Sequence, residues 1–311
     1  MTRRSRRRPS REERGASGFL VVDKPAGWTS HDVVDAARGW LAARRIGHLG
    51  TLDPNATGVL PLAVRSATRL IEHIQDRGKA YAGRIRLGVE TDTLDADGRE
   101  LRRYEGPWPD EAAVRTALAG FVGDIEQIPP MYSAVKKGGV PLHKLAREGQ
   151  EVERDAKRVR IDRLELRGYH PPDVELEVDC SAGTYVRVLA ADLGARLGCG
   201  AHLAELRRTR SGPFSLALAA TPEQLEAEAL AGTIERRLIP ALGVLGLPAL
   251  RVDPDEIEKL MRGADIEALG PPQPPGTRMA AHDPRGEVVA IVELRPGRRI
   301  RPLRVLAFAG E

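Results

Sequence analysis

Cysteine and aromatic side chains are both scarce in this 311-residue chain, which has two cysteines and only 4% Phe, Trp and Tyr together. The two thiols, Cys180 and Cys199, show neither Cys-x-x-Cys spacing nor paired histidines. That excludes a disulfide framework and a zinc-finger type of metal site. Buried free thiols in a reducing compartment are expected instead. Long apolar runs are also missing: the longest, 238–250, contains Pro240 and Pro248 and is too short to cross a bilayer. The basic N-terminal stretch runs into Arg11-Glu12-Glu13-Arg14 rather than an apolar segment, so it does not read as a secretory signal. A cytoplasmic protein with no membrane association is expected. No P-loop, no Gly-x-Gly-x-x-Gly and no metal-ligand cluster occurs, so neither cofactor nor metal is expected.

A large excess of one charge is absent too, because the formal net charge is only +4. Its distribution is uneven. Residues 1–14 hold seven arginines and two glutamates, +5 in all, which leaves −1 for the remaining chain. An arginine arm beside a near-neutral body suits a polyanion such as RNA. Composition alone supports a merely solvated tail equally well.

What is present is an ordinary globular composition, 41% hydrophobic and 30% charged, in a chain long enough for one large domain and a small one. Residues 1–17 are too polar to bury a core. Phe19-Leu20-Val21-Val22-Asp23 reads as a buried strand ending in the turn Lys24-Pro25-Ala26-Gly27. Thr29 and Asp32 match a capping box, and Val33, Val34, Ala37, Trp40 and Leu41 follow at helical spacing, predicting a helix to about Arg44. Residues 46–64 read as an irregular Gly/Pro/Asn-rich segment with one formal charge, Asp53. Residues 66–76, 110–122, 184–197 and 221–230 read as helices. Residues 80–87 alternate apolar against Arg84 and Arg86 and read as a strand with one wet face. Residues 158–166 and 174–180 alternate likewise and predict a hairpin. From about Leu247 short strands and turns are expected, with Arg295, Arg298, Arg299, Arg301 and Arg304 near the end. Interspersed helices and antiparallel strands predict an α+β fold.

Asp53 carries the strongest chemical signal. It sits in Gly47-His48-Leu49-Gly50-Thr51-Leu52-Asp53-Pro54-Asn55-Ala56-Thr57-Gly58. The glycines let backbone approach a ligand, and a following proline holds Asp53 extended. A lone carboxylate in an uncharged loop suits a nucleophile or base. On spacing alone, though, an aspartate before proline more often caps a turn. Arg187, near a helix start in Gly183-Thr184-Tyr185-Val186-Arg187, can pair with a carboxylate and keep it ionised; alone it reads as a surface arginine. Tyr81 suits base stacking or proton transfer, or equally a core aromatic. His48 suits stacking, or a turn. Lys136 and Lys137 suit a phosphate backbone, or a solvated loop. No second carboxylate forms a glycosidase pair with Asp53.

Together the segments go further than any one of them. Asp23-Lys24-Pro25 with Gly27-Trp28-Thr29-Ser30, the Gly47–Pro54 stretch, Lys79-Ala80-Tyr81, Thr91-Asp92-Thr93-Leu94-Asp95-Ala96-Asp97-Gly98, Gln127-Ile128-Pro129-Pro130-Met131-Tyr132-Ser133-Ala134-Val135-Lys136, Gly183–Arg187 and Leu206-Arg207-Arg208 resemble the TruB family of tRNA pseudouridine synthases. They occur in the family's order and spacing over residues 18–215. The resemblance implies a catalytic domain over 18–246, a mixed and largely antiparallel sheet with flanking helices, and a thumb insertion at about 132–159. Residues 247–311 look like a small PUA-type β-barrel that binds RNA. The implied activity isomerises uridine 55 in the T-arm of tRNA, breaking N1–C1′ and forming C5–C1′ with no cofactor or metal. The implied catalytic residues are Asp53 as nucleophile, Arg187 as its ion-pair partner and Tyr81 for stacking and proton transfer. The implied substrate-binding residues are His48, Lys24, Leu206, Tyr185, Lys136, Arg147 and Arg207, with Lys24 supporting the loop and Leu206 walling the pocket. The target base lies inside a folded loop and has to be flipped out. His143 departs from the tyrosine usual in the family's thumb. A monomer is expected. Other readings are a guide-RNA-dependent synthase, a tRNA-folding chaperone without chemistry, and a glycosidic-bond hydrolase, which the missing second acid disfavours.

Overall fold

The computed structural model describes residues 15–133, 135–150, 152–267 and 273–306. The arginine-rich stretch 1–14 and the side chains of Lys136, His143 and Arg147 lie outside the described residues. The fold is α+β, as the alternation of elements predicts. The chain divides into two compact units, one made of residues 1–54, 60–76 and 212–311, the other of 55–59 and 77–211.

In the first unit, strand Gly18–Lys24 is almost wholly buried, and Phe19 packs on Phe214 with ring centroids 5.4 Å apart. Helix Ser30–Trp40 starts where the capping box predicts: Thr29 accepts from the Asp32 N–H, and the Asp32 carboxylate accepts from the Thr29 N–H. The helix ends at Trp40, earlier than the apolar spacing suggests. Ala42 takes a left-handed conformation, φ 45°, and the N–H groups of Ala42 and Ala43 close back on the carbonyls of Gly39 and Arg38. This is a Schellman ending with alanine where glycine is usual. Helix Pro222–Leu230 is found where expected, and a capping box of Thr221 and Gln224 starts it.

The segment expected to be irregular is largely strand. Ile46–His48 and Thr57–Val64 are strands, and Ile46, Gly47 and His48 pair antiparallel with Val64, Ala63 and Leu62. Thr57-Gly58-Val59-Leu60-Pro61-Leu62-Ala63-Val64 is buried along nearly its whole length. A strand buried on both faces has no alternation to detect. Residues 65–73 form two short 3₁₀ turns rather than one helix. Near the C-terminus a five-stranded sheet spans Ala249 to Val305. It packs Met279, Ala281, Val292, Leu294 and Ile300 with Leu260 into one core. Leu260 belongs to helix Pro254–Met261, capped by Asp253 and Glu256, which the expectation of strands and turns alone missed.

In the second unit, strand Ala201–Ser211 pairs antiparallel with Lys79–Leu87, which pairs with Asp173–Cys180, then Lys157–His170, then Gly123–Gln127. The predicted 158–166/174–180 hairpin is found, with longer arms. Arg84 and Arg86 mark the wet face, where both pair with Asp173. Further along that sheet, Arg163 pairs with Glu165, Glu177 and Asp179. Helix Glu111–Ala119 buries Val114 and Leu118 as expected. Both thiols are buried and free, and burial pushes the Cys180 thiol up to about 11.

Candidate active site

The Asp53 loop is built by the segment that precedes it in sequence. Lys24 is fully buried. Its ammonium donates to the carbonyls of Pro25 at 2.8 Å, Trp28 at 2.5 Å and Pro54 at 2.7 Å. A buried ammonium is tolerated only with such partners, so Lys24 shapes the loop. The Gly27 N–H adds a second bond to the Pro54 carbonyl, 3.0 Å. Ser30, 4% exposed, uses one hydroxyl twice: it accepts from the Leu52 N–H at 2.8 Å and donates to the Leu52 carbonyl at 3.1 Å. Asp53 itself is half-buried. His48 ends the short Ile46–His48 strand.

In the second unit, Arg187 is the second residue of helix Val186–Leu197, and its side chain is 7% exposed. Its Nη1 donates to Asp95 Oδ2 at 3.1 Å and to the Thr93 carbonyl at 3.2 Å, and its Nη2 donates to the Tyr132 carbonyl at 2.9 Å. Asp95 is in turn held by the Thr93 hydroxyl and the Asp97 N–H. One tight turn thus orients the guanidinium. Burial, and then the Asp95 carboxylate, raise the Asp97 carboxyl above its ordinary value. Asp97 accepts a bond from the Asn55 side chain.

The helix start is fixed as well. Gln127, 2% exposed, accepts from the Tyr185 N–H at 3.0 Å and donates to the Tyr185 carbonyl at 3.3 Å. Tyr185 therefore occupies the cap position of the helix that carries Arg187.

Tyr81, 6% exposed, lies on the inner face of strand Lys79–Leu87. The register places it opposite Arg208 and Val178, and places Gly83 opposite Leu206. Alternation puts Lys79, Tyr81, Gly83, Leu206 and Arg208 on one face. Arg208 is fully buried, and its Nε donates to the Val59 carbonyl at 2.7 Å. Lys79 loses its proton at about 8, chiefly through burial and then through repulsion by Arg208. Arg207 faces the other way and reaches the Thr57 hydroxyl at 3.4 Å.

The segment expected to form a thumb contains a short hairpin, Lys136–Lys137 with Val140–Pro141, and helix Leu142–Arg147. Lys137 donates to the Glu153 carbonyl.

Sequence reasoning singled out Asp53, Arg187 and Tyr81 but gave no role to four residues that hold their surroundings: Ser30, Asp95, Gln127 and Arg208. All four lie inside the segments that carry the resemblance. Ser30 stands at a helix start, but Asp95, Gln127 and Arg208 carry no local signal, because their pairing is supplied only by the fold. Among the described residues no cluster of His, Cys, Asp and Glu could hold a metal, and no helix is long and apolar enough to cross a membrane.

A TruB family pseudouridylate synthase N-terminal domain matches residues 38–186, and a tRNA pseudouridylate synthase B C-terminal domain matches residues 187–243. A protein of Pseudomonas aeruginosa named tRNA pseudouridine synthase B is 43% identical over 300 residues, covering 95% of this chain and 98% of its own. The protein of that name from Opitutus terrae is 51% identical over 223 residues, covering 72% and 92%. Among solved structures, an H/ACA RNP bound to a substrate RNA containing 2′-deoxyuridine matches with a TM-score of 0.69 at 25% identity, covering 94% of this chain and 86% of that one. A Cbf5–Nop10–Gar1 complex matches with a TM-score of 0.68 at 27% identity, covering 94% and 85%. The chain belongs to the TruB family of pseudouridylate synthases.

Proposed function

We propose that the protein isomerises uridine to pseudouridine in the T-arm of tRNA, at position 55, with Asp53 as nucleophile. The observation that carries the reading is the Asp53 loop, which is anchored on either side of Asp53, at Leu52 by Ser30 and at the Pro54 carbonyl by Lys24 and Gly27, in a chain of this family. An aspartate that merely capped a turn would not need the chain anchored on both sides of it, at Leu52 and at Pro54, by buried partners. Asp53 attacks the flipped nucleotide, at C1′ or by opening a glycal route. The N1–C1′ bond breaks, the base turns and C5 bonds to C1′, displacing Asp53 where it had bonded there; the C5 proton then leaves and N1 takes one up. Arg187 keeps the Asp53 carboxylate ionised and aimed, and the turn Thr91–Gly98 holds Arg187 ready. Tyr81 stacks on the base and assists proton transfer at C5. His48 fills the gap that the flipped base leaves in the T-loop stack, Leu206 gives the pocket an apolar wall, and Lys24 supports the loop. Tyr185, Lys136, Arg147 and Arg207 contact the RNA. Residues 132–159 close on the T-arm, and residues 247–311 act as a PUA-like RNA-binding domain. The protein works as a monomer.

The test is Asp53→Asn, which keeps shape and removes charge. Turnover on a defined tRNA transcript falls by several orders of magnitude, on the order of 6 kcal/mol or more of transition-state stabilisation. tRNA affinity and thermal melting stay near the parent's. Turnover within tenfold of the parent rejects the assignment. The likeness to H/ACA complexes favours one second reading, a guide-RNA-dependent synthase. Pseudouridine formed in the transcript by the purified protein alone decides against it.

A further inference from the structure

We infer that Ser30 is a positioning residue for the nucleophile, acting through the backbone of Leu52. The inference rests on the reading of Asp53 as nucleophile and deepens it. Asp53 lies between two anchored points of the chain. On its N-terminal side, the Ser30 hydroxyl holds both the N–H and the C=O of Leu52. That carbonyl belongs to the peptide plane that also carries the Asp53 nitrogen. On its C-terminal side, the Pro54 carbonyl is held by Lys24 and by the Gly27 N–H. Between them stands an Asp-Pro bond, which confines Asp53 to extended conformations. With the preceding peptide plane fixed, the backbone of Asp53 restricted by the proline and the Pro54–Asn55 peptide held one step further on, the Cα–Cβ direction of Asp53 has little freedom left.

Ser30 is itself held. It is the first residue of helix Ser30–Trp40, directly after Thr29, which the capping box locks against Asp32. The Trp28 carbonyl is tied to Lys24. The Leu52 side chain is buried at 4% exposure, so the peptide cannot turn outward to find water. A serine is the smallest side chain with one oxygen that both donates and accepts. Alanine in its place leaves both Leu52 groups without that partner and lets the plane preceding Asp53 rotate. An error near 1 Å at a reacting atom costs about a hundredfold in rate.

A purely structural serine would lower stability and leave the chemistry alone, so the test separates the two. Ser30→Ala is compared with Val114→Ala, a buried helix residue outside the site, at temperatures set equally far below each variant's melting point. Single-turnover rate at saturating tRNA is expected to fall ten- to a hundredfold in Ser30→Ala and less than threefold in Val114→Ala. tRNA Kd stays within about threefold, and the pH midpoint of the rate does not move, because the carboxylate is misaimed rather than re-titrated. Ser30→Thr, which keeps the hydroxyl, recovers most of the rate. If Ser30→Ala does not fold, Ser30→Cys, with a longer and weaker hydrogen-bonding group, takes its place with the same expected loss. A Ser30 variant that keeps the rate of Val114→Ala overturns the inference. Asp53→Asn run in parallel separates the failures: if it is inactive while Ser30→Ala matches the control, only the positioning role falls.

Discussion

Arg187 illustrates what a single residue's environment adds to its identity. The sequence marks it as an arginine near a helix start, able to hold a carboxylate. The structure shows its fork already held on two nitrogens by Asp95 and the carbonyls of Thr93 and Tyr132. Those partners lie 55 to 94 residues away in sequence, so no local pattern announces them. Asp95 was visible only as one acid in an acidic turn. Lys79 is the opposite case, because its neighbourhood disfavours its own charge. It faces the buried Arg208, and burial and that repulsion lower its pKa from 10.5 to about 8. The folded state therefore binds fewer protons than the unfolded state between those values, so stability rises with pH across that window. Below about 8 the cost of the charge is fully present. Lys79→Met is expected to melt higher than the parent at pH 7. The difference should shrink as pH rises from about 8 toward 10.5, read by thermal melting at several pH values. An equal difference at pH 7 and pH 10 would contradict the burial of a charged Lys79.

At the scale of elements, legibility follows exposure. The strand Lys79–Leu87 was readable because Arg84 and Arg86 meet water while Ile85 and Leu87 are buried, a contrast that shows in the sequence. Helix Ser30–Trp40 was readable at its start because a capping box is a local pattern, and not at its end because Ala42 adopts a conformation that alanine rarely announces. The strand Thr57–Val64 was unreadable: buried on both faces, it carries glycine and proline in a run that resembles a loop. Its Gly58 explains the glycine. At φ 99°, a Cβ there would stand 2.2 Å from the Arg208 carbonyl oxygen, in the parallel pairing where Gly58 meets Arg208. A side chain of any size disrupts that contact and strains the backbone. Gly58→Ala should cost at least about 2 kcal/mol, measured as a lower urea midpoint. Because the same backbone step carries Arg208 opposite Tyr81, turnover should fall with it. A midpoint unchanged from the parent would place the close approach elsewhere.

At the scale of the whole molecule the question is how charge is spent. The end of the chain is rich in arginine, yet Arg295 pairs with Glu293, Arg299 with Asp265 and Arg304 with Glu72. Those three arginines are paired with acids at the surface, and Arg69 donates to the Val305 carbonyl. Pairing at a surface contributes little stability but does neutralise charge. The lattice around Arg163 does the same for the outer sheet face. A body that carries −1 outside residues 1–14, with many of its arginines ion-paired, leaves the seven arginines of that stretch as the densest run of positive charge. Just after them the chain is anchored, because Arg65 donates to the Ala16 carbonyl at 2.6 Å. Phosphate contacts release counterions, and each contributes about 0.7 to 0.9 to the slope of log affinity against log salt. Deleting residues 2–14 should therefore weaken tRNA binding most at low salt and flatten that slope by more than one contact's worth. Single-turnover rate at saturating tRNA should stay within about twofold, because none of the residues around Asp53, Tyr81 or Arg187 is removed. Binding isotherms from low to high salt, on the deleted and full chains side by side, decide the matter. Parallel lines would mean that the arm stays in solvent and that tRNA affinity comes from the folded body alone.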